Sequence, residues 1–170
     1  DPPRLRRDPD RRRLCHCAAP NLPADFNDAV DGIEIGPNVG SCGAAAYRKE
    51  AVYVNDIAND PLWADYRDLA LSHGLRACWS APILSTEGEV LGTFALYYPH
   101  ALEAPSSDRD LLDLVAGSAA LIIERRNAQE ALRQQTRRLE ALNRTGEALA
   151  GELDLERLVQ TVTDAGVELT

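Results

Sequence analysis

The sequence holds no methionine, and only one of its 18 basic residues, Lys49, is a lysine. It runs from Asp1 to Thr170 and stops inside a helical pattern, so it reads as a piece of a longer chain. Long apolar runs are missing too. The most apolar stretch, 111–123, is interrupted by Asp113, Gly117 and Ser118 and falls short of the roughly 20 residues a membrane helix needs. The Arg- and Pro-rich front end lacks the apolar segment of a secretory leader. The expectation is a cytoplasmic chain with no direct membrane contact. No pair among Cys15, Cys17, Cys42 and Cys78 has C-x-x-C spacing, and a cytoplasmic setting favours reduced thiols over structural disulfides. Positive charge is in deficit: the net charge of −9 argues against a nucleic-acid partner. The arginines at 4–13 and 125–138 read as a solvated terminus and a solvated helix face.

What is present is an alternation of short strands and helices. Residues 1–10, with prolines at 2, 3 and 9, read as irregular, and 11–19 as a strand. A short helix is expected over 22–31. A Gly/Pro-punctuated loop then opens into an Ala-rich helix around 41–48. AVYVND (51–56) reads as a strand. Pro61 suits a first helical turn, and Leu62, Tyr66, Leu69 and Ala70 recur at helical spacing up to a Gly74 cap. RACWSAPIL (76–84) and VLGTFALYY (90–98), joined by a turn around Gly88, make an antiparallel hairpin. The fold class is α+β, antiparallel strands closed by a long helix.

That helix begins near Ser106. From there an a/d register fits Leu111, Leu114, Leu121, Ala128, Leu132, Leu139, Leu142 and Leu149, with Ser118, Arg125, Gln135 and Gly146 in the skipped slots. The pattern predicts a helix that pairs with another, most simply in a homodimer. A break is expected at Gly151, followed by a helix with Leu155, Leu158, Val159, Val162 and Val167 on one side.

Four segments in order, GPNVGSCGAAAYR (36–48), VNDIANDPLW (54–63), GLRACWSAPI (74–83) and GEVLGTFALYY (88–98), resemble the GAF domains of bacterial multidomain sensors. The likeness covers most of 11–126. Residues 127–146 then read as a helical connector. The tail 139–170, above all GELDL (151–155), resembles the opening helix of a second GAF domain, as in tandem-GAF sensor histidine kinases; 147–170 would start that domain. The resemblance implies an antiparallel sheet flanked by helices, with a pocket between the sheet and the loop–helix elements. It implies a module that senses a small molecule or a partner and passes its state down the terminal helix to an output domain, with a histidine kinase as the expected output. The chain departs from the family at its start: DPPRLRRDPD stands where a helix and an apolar strand are usual, which predicts an exposed sheet edge or an incomplete pocket.

Pocket residues implied in this way are the large side chains Trp63, Tyr66, Trp79, Phe94 and Tyr97, with Asp56, Arg76 and Ser80 as polar groups. The aromatics would equally serve as core. Cys42 in GSCG and Cys78 raise a second reading, because the free methionine sulfoxide reductases share the GAF fold and place a catalytic Cys in a G-x-C-G turn. Against it, LRACWS replaces that family's acidic and His-containing stretch, and Gly32, Ile33 and Glu34 stand near its additional upstream Cys. Cys42 then reads as a helix-packing residue and Cys78 as a strand residue. Cys15-His16-Cys17 cannot supply zinc's four ligands, since one strand directs only two of the three to one face. Bilin-binding GAF domains carry a Cys-His pair, but not in an early strand, and no cyclic-nucleotide signature is present. No cofactor, no metal and no catalytic residue is expected.

Overall fold

The computed structural model describes residues 13–167. The chain divides into two compact units, residues 1–124 and 125–170.

In the first unit, β1 (Arg13–Leu14) pairs antiparallel with β2 (Ile33–Glu34), and α1 (Ala24–Val30) lies between them in sequence. The expected strand over 11–19 is therefore only two residues long within the described part, and the loop expected after α1 contains β2. Beyond Leu14 the backbone leaves the ladder: the His16 N–H donates to the Asp31 carboxylate at 2.6 Å rather than to a strand carbonyl. The irregular segment 1–10 lies outside the described residues.

Helix α2 (Gly40–Arg48) leads to β3 (Val52–Val54). The helix expected over 62–73 is divided: a 3-10 turn, Pro61–Trp63, precedes α3 (Arg67–Ser72). Asp60 caps the turn, its carboxylate accepting from the Leu62 N–H at 2.8 Å. Bonds of the i→i−3 kind from Trp63, Ala64 and Tyr66 then hold the chain in 3-10 geometry. Gly74, at φ +73°, ends α3 as expected.

Strands β4 (Ala77–Leu84) and β5 (Val90–Tyr98) form the hairpin, closed by a turn with Gly88 at φ +75°. The sheet order is β3-β4-β5, all antiparallel. Among the described residues β5 has a strand on one side only, and all nine of its residues are half-buried. The segment 1–12, on which the expectation of an open edge rests, lies outside the described residues.

Two cores lie on the two faces of this sheet. One joins Phe26, Ala44, Ala45, Val52, Val54, Ile57, Trp63, Ala70, Leu75 and Cys78. The other joins Trp79, Ala81 and Ile83 of β4 to Ala104 and to Leu112, Ala116 and Ala120. These last three sit on α4 (Ser106–Val167), one continuous helix. The break expected at Gly151 is absent. A lone glycine costs a helix only about 1 kcal/mol relative to alanine and stops it only by adopting a left-handed cap; the left-handed glycines are 32, 40, 74 and 88.

Leu112, Ala116 and Ala120 recur every fourth residue and make the inward stripe of α4. Leu111, Leu114 and Leu121 of the a/d series are exposed, at 53%, 67% and 66%. In the second unit Leu132, Leu139 and Leu142 are exposed as well, as are Leu155, Leu158 and Val159. The side chains of Leu149, Val162 and Val167 lie outside the described residues. No helix among the described residues is long and apolar enough to cross a membrane.

Candidate functional site

Side chains alternate along a strand, and that alternation divides the eight expected pocket residues. Cys78 and Ser80 of β4, with Ala95 and Tyr97 of β5, face α2, whereas Trp79, Phe94, Leu96 and Tyr98 face the long helix. Trp63, Tyr66, Tyr97 and Ser80 therefore come together on one face. Trp79 and Phe94 lie on the other. Trp79 is fully buried there, its ring 4.4 Å from that of Tyr98.

Asp56 and Arg76 pair with each other at the margin of the sheet, the guanidinium donating to Oδ1 of Asp56 at 2.9 and 3.2 Å. The same carboxylate accepts from the Ala58 N–H at 3.2 Å and the Asn59 side chain at 2.7 Å. Desolvation pushes the Asp56 carboxyl up, but the bonds from Arg76, Ala58 and Asn59 outweigh it and hold it below its ordinary value. Both backbones join in: Ile57 N–H donates to the Arg76 carbonyl at 2.7 Å. The pair holds the turn after β3 against the start of β4.

A denser constellation sits where the first turn of α2 meets β4. Ser41 Oγ donates to the Cys78 carbonyl at 3.2 Å and accepts from Trp63 Nε1 at 3.0 Å. Ser80 Oγ lies 3.4 Å from the Cys42 sulfur, to which it donates. Tyr97 closes the group, edge-on to Trp63 at 6.2 Å and to Phe26 at 5.6 Å. Glycines make this approach possible. A Cβ on Gly40 would already touch the Trp63 ring at 3.8 Å, and one on Gly43 would stand 2.8 Å from Cβ of Val39 and 3.2 Å from the Glu34 carbonyl.

The two thiols are electrically unequal. A hydrogen bond from Cys78 is the largest influence on Cys42; together with the hydroxyls of Ser80, Thr93 and Tyr97 it overcomes burial and brings the Cys42 thiol down to about 6. Burial, reinforced by the hydrogen bond and charge of Cys42, pushes Cys78 well above the ordinary thiol range. Burial likewise raises the Tyr97 phenol, helped by the charges of Cys78 and Cys42. The arrangement stabilises one negative charge, on Cys42, and keeps the second proton on Cys78. That is the electronic profile of a nucleophilic thiol beside a protonated one.

Sequence reasoning places Cys42 in a helix and Cys78 in a strand, as found, but it does not bring them together, and it passes over Ser41 and Thr93. Thr93 carried a signal: with Ala95 and Tyr97 it occupies alternate positions of β5, a polar residue in an apolar run. Cys15 is half-buried and Cys17 exposed. The His16 N–H is held by the Asp31 carboxylate at 2.6 Å. Among the described residues no three His, Cys, Asp or Glu side chains are grouped as metal ligands.

The GAF domain family profile matches residues 5–124. The chain belongs to the GAF domain family. It is 33% identical over 135 residues to the methyl sulfide methyltransferase-associated sensor of Methanosarcina acetivorans, a match covering 79% of this chain and 14% of that protein. Its fold is similar to a domain described as part of a two-component sensor histidine kinase of Sinorhizobium meliloti 1021, with a TM-score of 0.57, 22% identity, and 68% of this chain and 73% of that one covered. It is also similar to residues 122 to 287 of a methyl-accepting chemotaxis protein, with a TM-score of 0.56, 24% identity, and 71% and 75% covered.

Proposed function

We propose that this chain is the sensory module of a cytoplasmic signalling protein: it binds a small molecule or partner on the α2 face of its sheet and relays that state through α4 to an output domain, a histidine kinase. The observation that carries this reading is the double use of β4. One face of the strand packs on α2 around Cys78 and Ser80; the other packs Trp79, Ala81 and Ile83 on the inward stripe of α4. A change on the first face reaches the second through one stiff strand, because close-packed interfaces shift between discrete arrangements rather than deforming smoothly. Kinship to a named sensor supports the same reading.

The ligand group on this reading is Trp63, Tyr66, Tyr97 and Ser80. The outward leucines of α4 pair with a second copy of the chain: they oppose the buried stripe, and their a/d spacing is that of a coiled-coil seam. Residues 147–170 lead into a second GAF domain. Sedimentation equilibrium of the chain, alone and as Leu114→Glu/Leu121→Glu/Leu132→Glu, tests the pairing. The expected result is a dimer that the triple variant converts to monomer. A monomer at every concentration ends the paired-helix relay. Sequencing the reading frame beyond Thr170 tests the output: a frame that closes without a kinase domain removes it.

The docking of Ser41 and Cys42 against Cys78 and Ser80 of β4 favours a second reading, a thiol-dependent enzyme acting on free methionine sulfoxide. Turnover of that substrate, lost in Cys42→Ser, is its test; no turnover by the unaltered chain ends it.

A further inference from the structure

We infer that Cys42 and Cys78 close into a reversible disulfide driven by a hydroperoxide, which makes the junction of α2 and β4 a thiol oxidation site. The consequence for signalling rests on the sensory reading above; the bond itself is a property of this chain.

Three observations point to it. The first turn of α2 meets the central strand of the sheet at these two residues: Ser41, next to Cys42, donates to the Cys78 carbonyl at 3.2 Å, and Ser80, on the same face of β4 as Cys78, donates to the Cys42 sulfur at 3.4 Å. Their environments divide the labour: Cys42 is partly exposed, whereas Cys78 is fully buried. An oxidant from solvent therefore meets Cys42 first, while Cys78 is shielded from it and stands beside the product of that encounter. Finally, the Ser80 hydroxyl donates to the Cys42 sulfur at 3.4 Å, which favours its anion, with Thr93 and Tyr97 acting in the same direction. The anion, not the thiol, attacks peroxides and disulfides.

The chemistry balances in two steps. The Cys42 sulfur, having lost its proton to solvent, attacks the distal oxygen of the hydroperoxide. An S–O bond forms, the O–O bond breaks, and the departing alkoxide takes a proton and leaves as an alcohol, or as water when the oxidant is hydrogen peroxide. The sulfur is now a sulfenic acid. Cys78 then attacks it: an S–S bond forms, and the sulfenic oxygen leaves as water with the Cys78 proton and its own. Two thiols have given up two electrons and two hydrogens, and the hydroperoxide has accepted them.

Closure has a mechanical side. A disulfide holds its sulfurs about 2 Å apart, nearer than any hydrogen bond between thiols. The first turn of α2 is thus drawn onto β4. The next residue of that strand, Trp79, lies in the core with Leu112, Ala116 and Ala120 of α4, so the pull is applied to the strand that carries the helix.

The test uses the full 170-residue chain with Cys15→Ser and Cys17→Ser, which leaves one thiol pair. An equimolar amount of hydrogen peroxide is added, free thiols are alkylated, and the peptides are mapped by mass. The expected result is a Cys42–Cys78 linked peptide in most molecules, lost again with dithiothreitol. In Cys78→Ala, or in Cys78→Ser should the first variant fail to fold by circular dichroism, dimedone labels Cys42. Recovery of both residues as free thiols, or oxidation of Cys42 past the sulfenic state without a linked peptide while Cys78 is present, overturns the inference. The readout needs neither dimer nor output domain. A failed disulfide leaves the relay standing, and a monomeric chain leaves the disulfide standing.

Discussion

Cys78 and Trp79 are neighbours on β4 and belong to opposite cores: the thiol packs with Phe26, Ala44 and Ala45 on the α2 side, the indole with Leu112, Ala116 and Ala120 of the long helix. Both are fully buried. The period-two pleat of the strand is thus what joins the two cores.

Trp79 is consequently a core residue of the sheet–helix packing. Trp79→Ala removes the largest buried side chain against α4 and is expected to cost about 3–5 kcal/mol. Urea unfolding monitored by circular dichroism reads this as a lower midpoint. Part of the cost is returned, because the buried Trp79 Nε1 has no hydrogen-bond partner and its loss leaves nothing unpaired. Trp63→Phe differs in kind: it keeps most of the apolar contact but leaves Ser41 Oγ without its donor, for a smaller loss of about 1 kcal/mol.

Cys42 ionises near pH 6, three hydroxyls and Cys78 having lowered it from 9.0. In the Cys15→Ser/Cys17→Ser background, alkylation rate against pH should show that midpoint, and Cys78→Ala should move it back toward the ordinary thiol range, since the Cys78 hydrogen bond is the largest cause. The sign for stability follows. A depressed folded value stabilises the fold fully above the unfolded value of 9.0 and loses its contribution as pH falls through about 6. Cys78, raised, acts oppositely: its contribution is complete below the unfolded value and fades as pH rises toward its own high one. Between 6 and 9 the unfolded chain holds the extra proton, so stability rises with pH there; Cys42→Ala should flatten that slope in a melting-temperature series.

The pairing of Asp56 with Arg76 governs the acid limb. With its folded value below 3.8, Asp56 contributes stability that is complete above 3.8 and disappears as pH falls through the folded value. Asp56→Asn is expected to lower the melting temperature at neutral pH and to match the unaltered chain once both are well below pH 3.8. The effect is modest, because Arg76 and Asp56 retain 42% and 25% of their side-chain exposure and water screens the pair. An equal deficit at both pH values would mean that Asp56 acts through shape and not through charge.

Much of this molecule was legible in its residues. The hairpin of β4 and β5, the helical entry at Pro61, the cap at Gly74, and the four ordered segments of the GAF pattern rest on local rules: turn chemistry, alternation and glycine's left-handed freedom. The outward leucine series on α4 was equally a matter of period. Three local expectations gave way. The strand over 11–19 ended at Leu14, the helix over 62–73 divided after a 3-10 turn, and Gly151 did not end α4. In each, the signal marked a preference of about 1 kcal/mol or less per residue that neighbouring bonds could override.

The amino-acid order by itself determined the elements, their period and the family, because these depend on residues a few positions apart. The tertiary structure alone decided that Ser41 and Cys42 meet β4 at Cys78 and Ser80, and that Trp79 and Phe94 turn away from Trp63 and Tyr97. Those relations join α2 to β4 and β5 across segments distant in the chain. Burial and hydrogen bonding there shift the thiols in opposite directions, and neither effect exists until the strand is seated between its two cores.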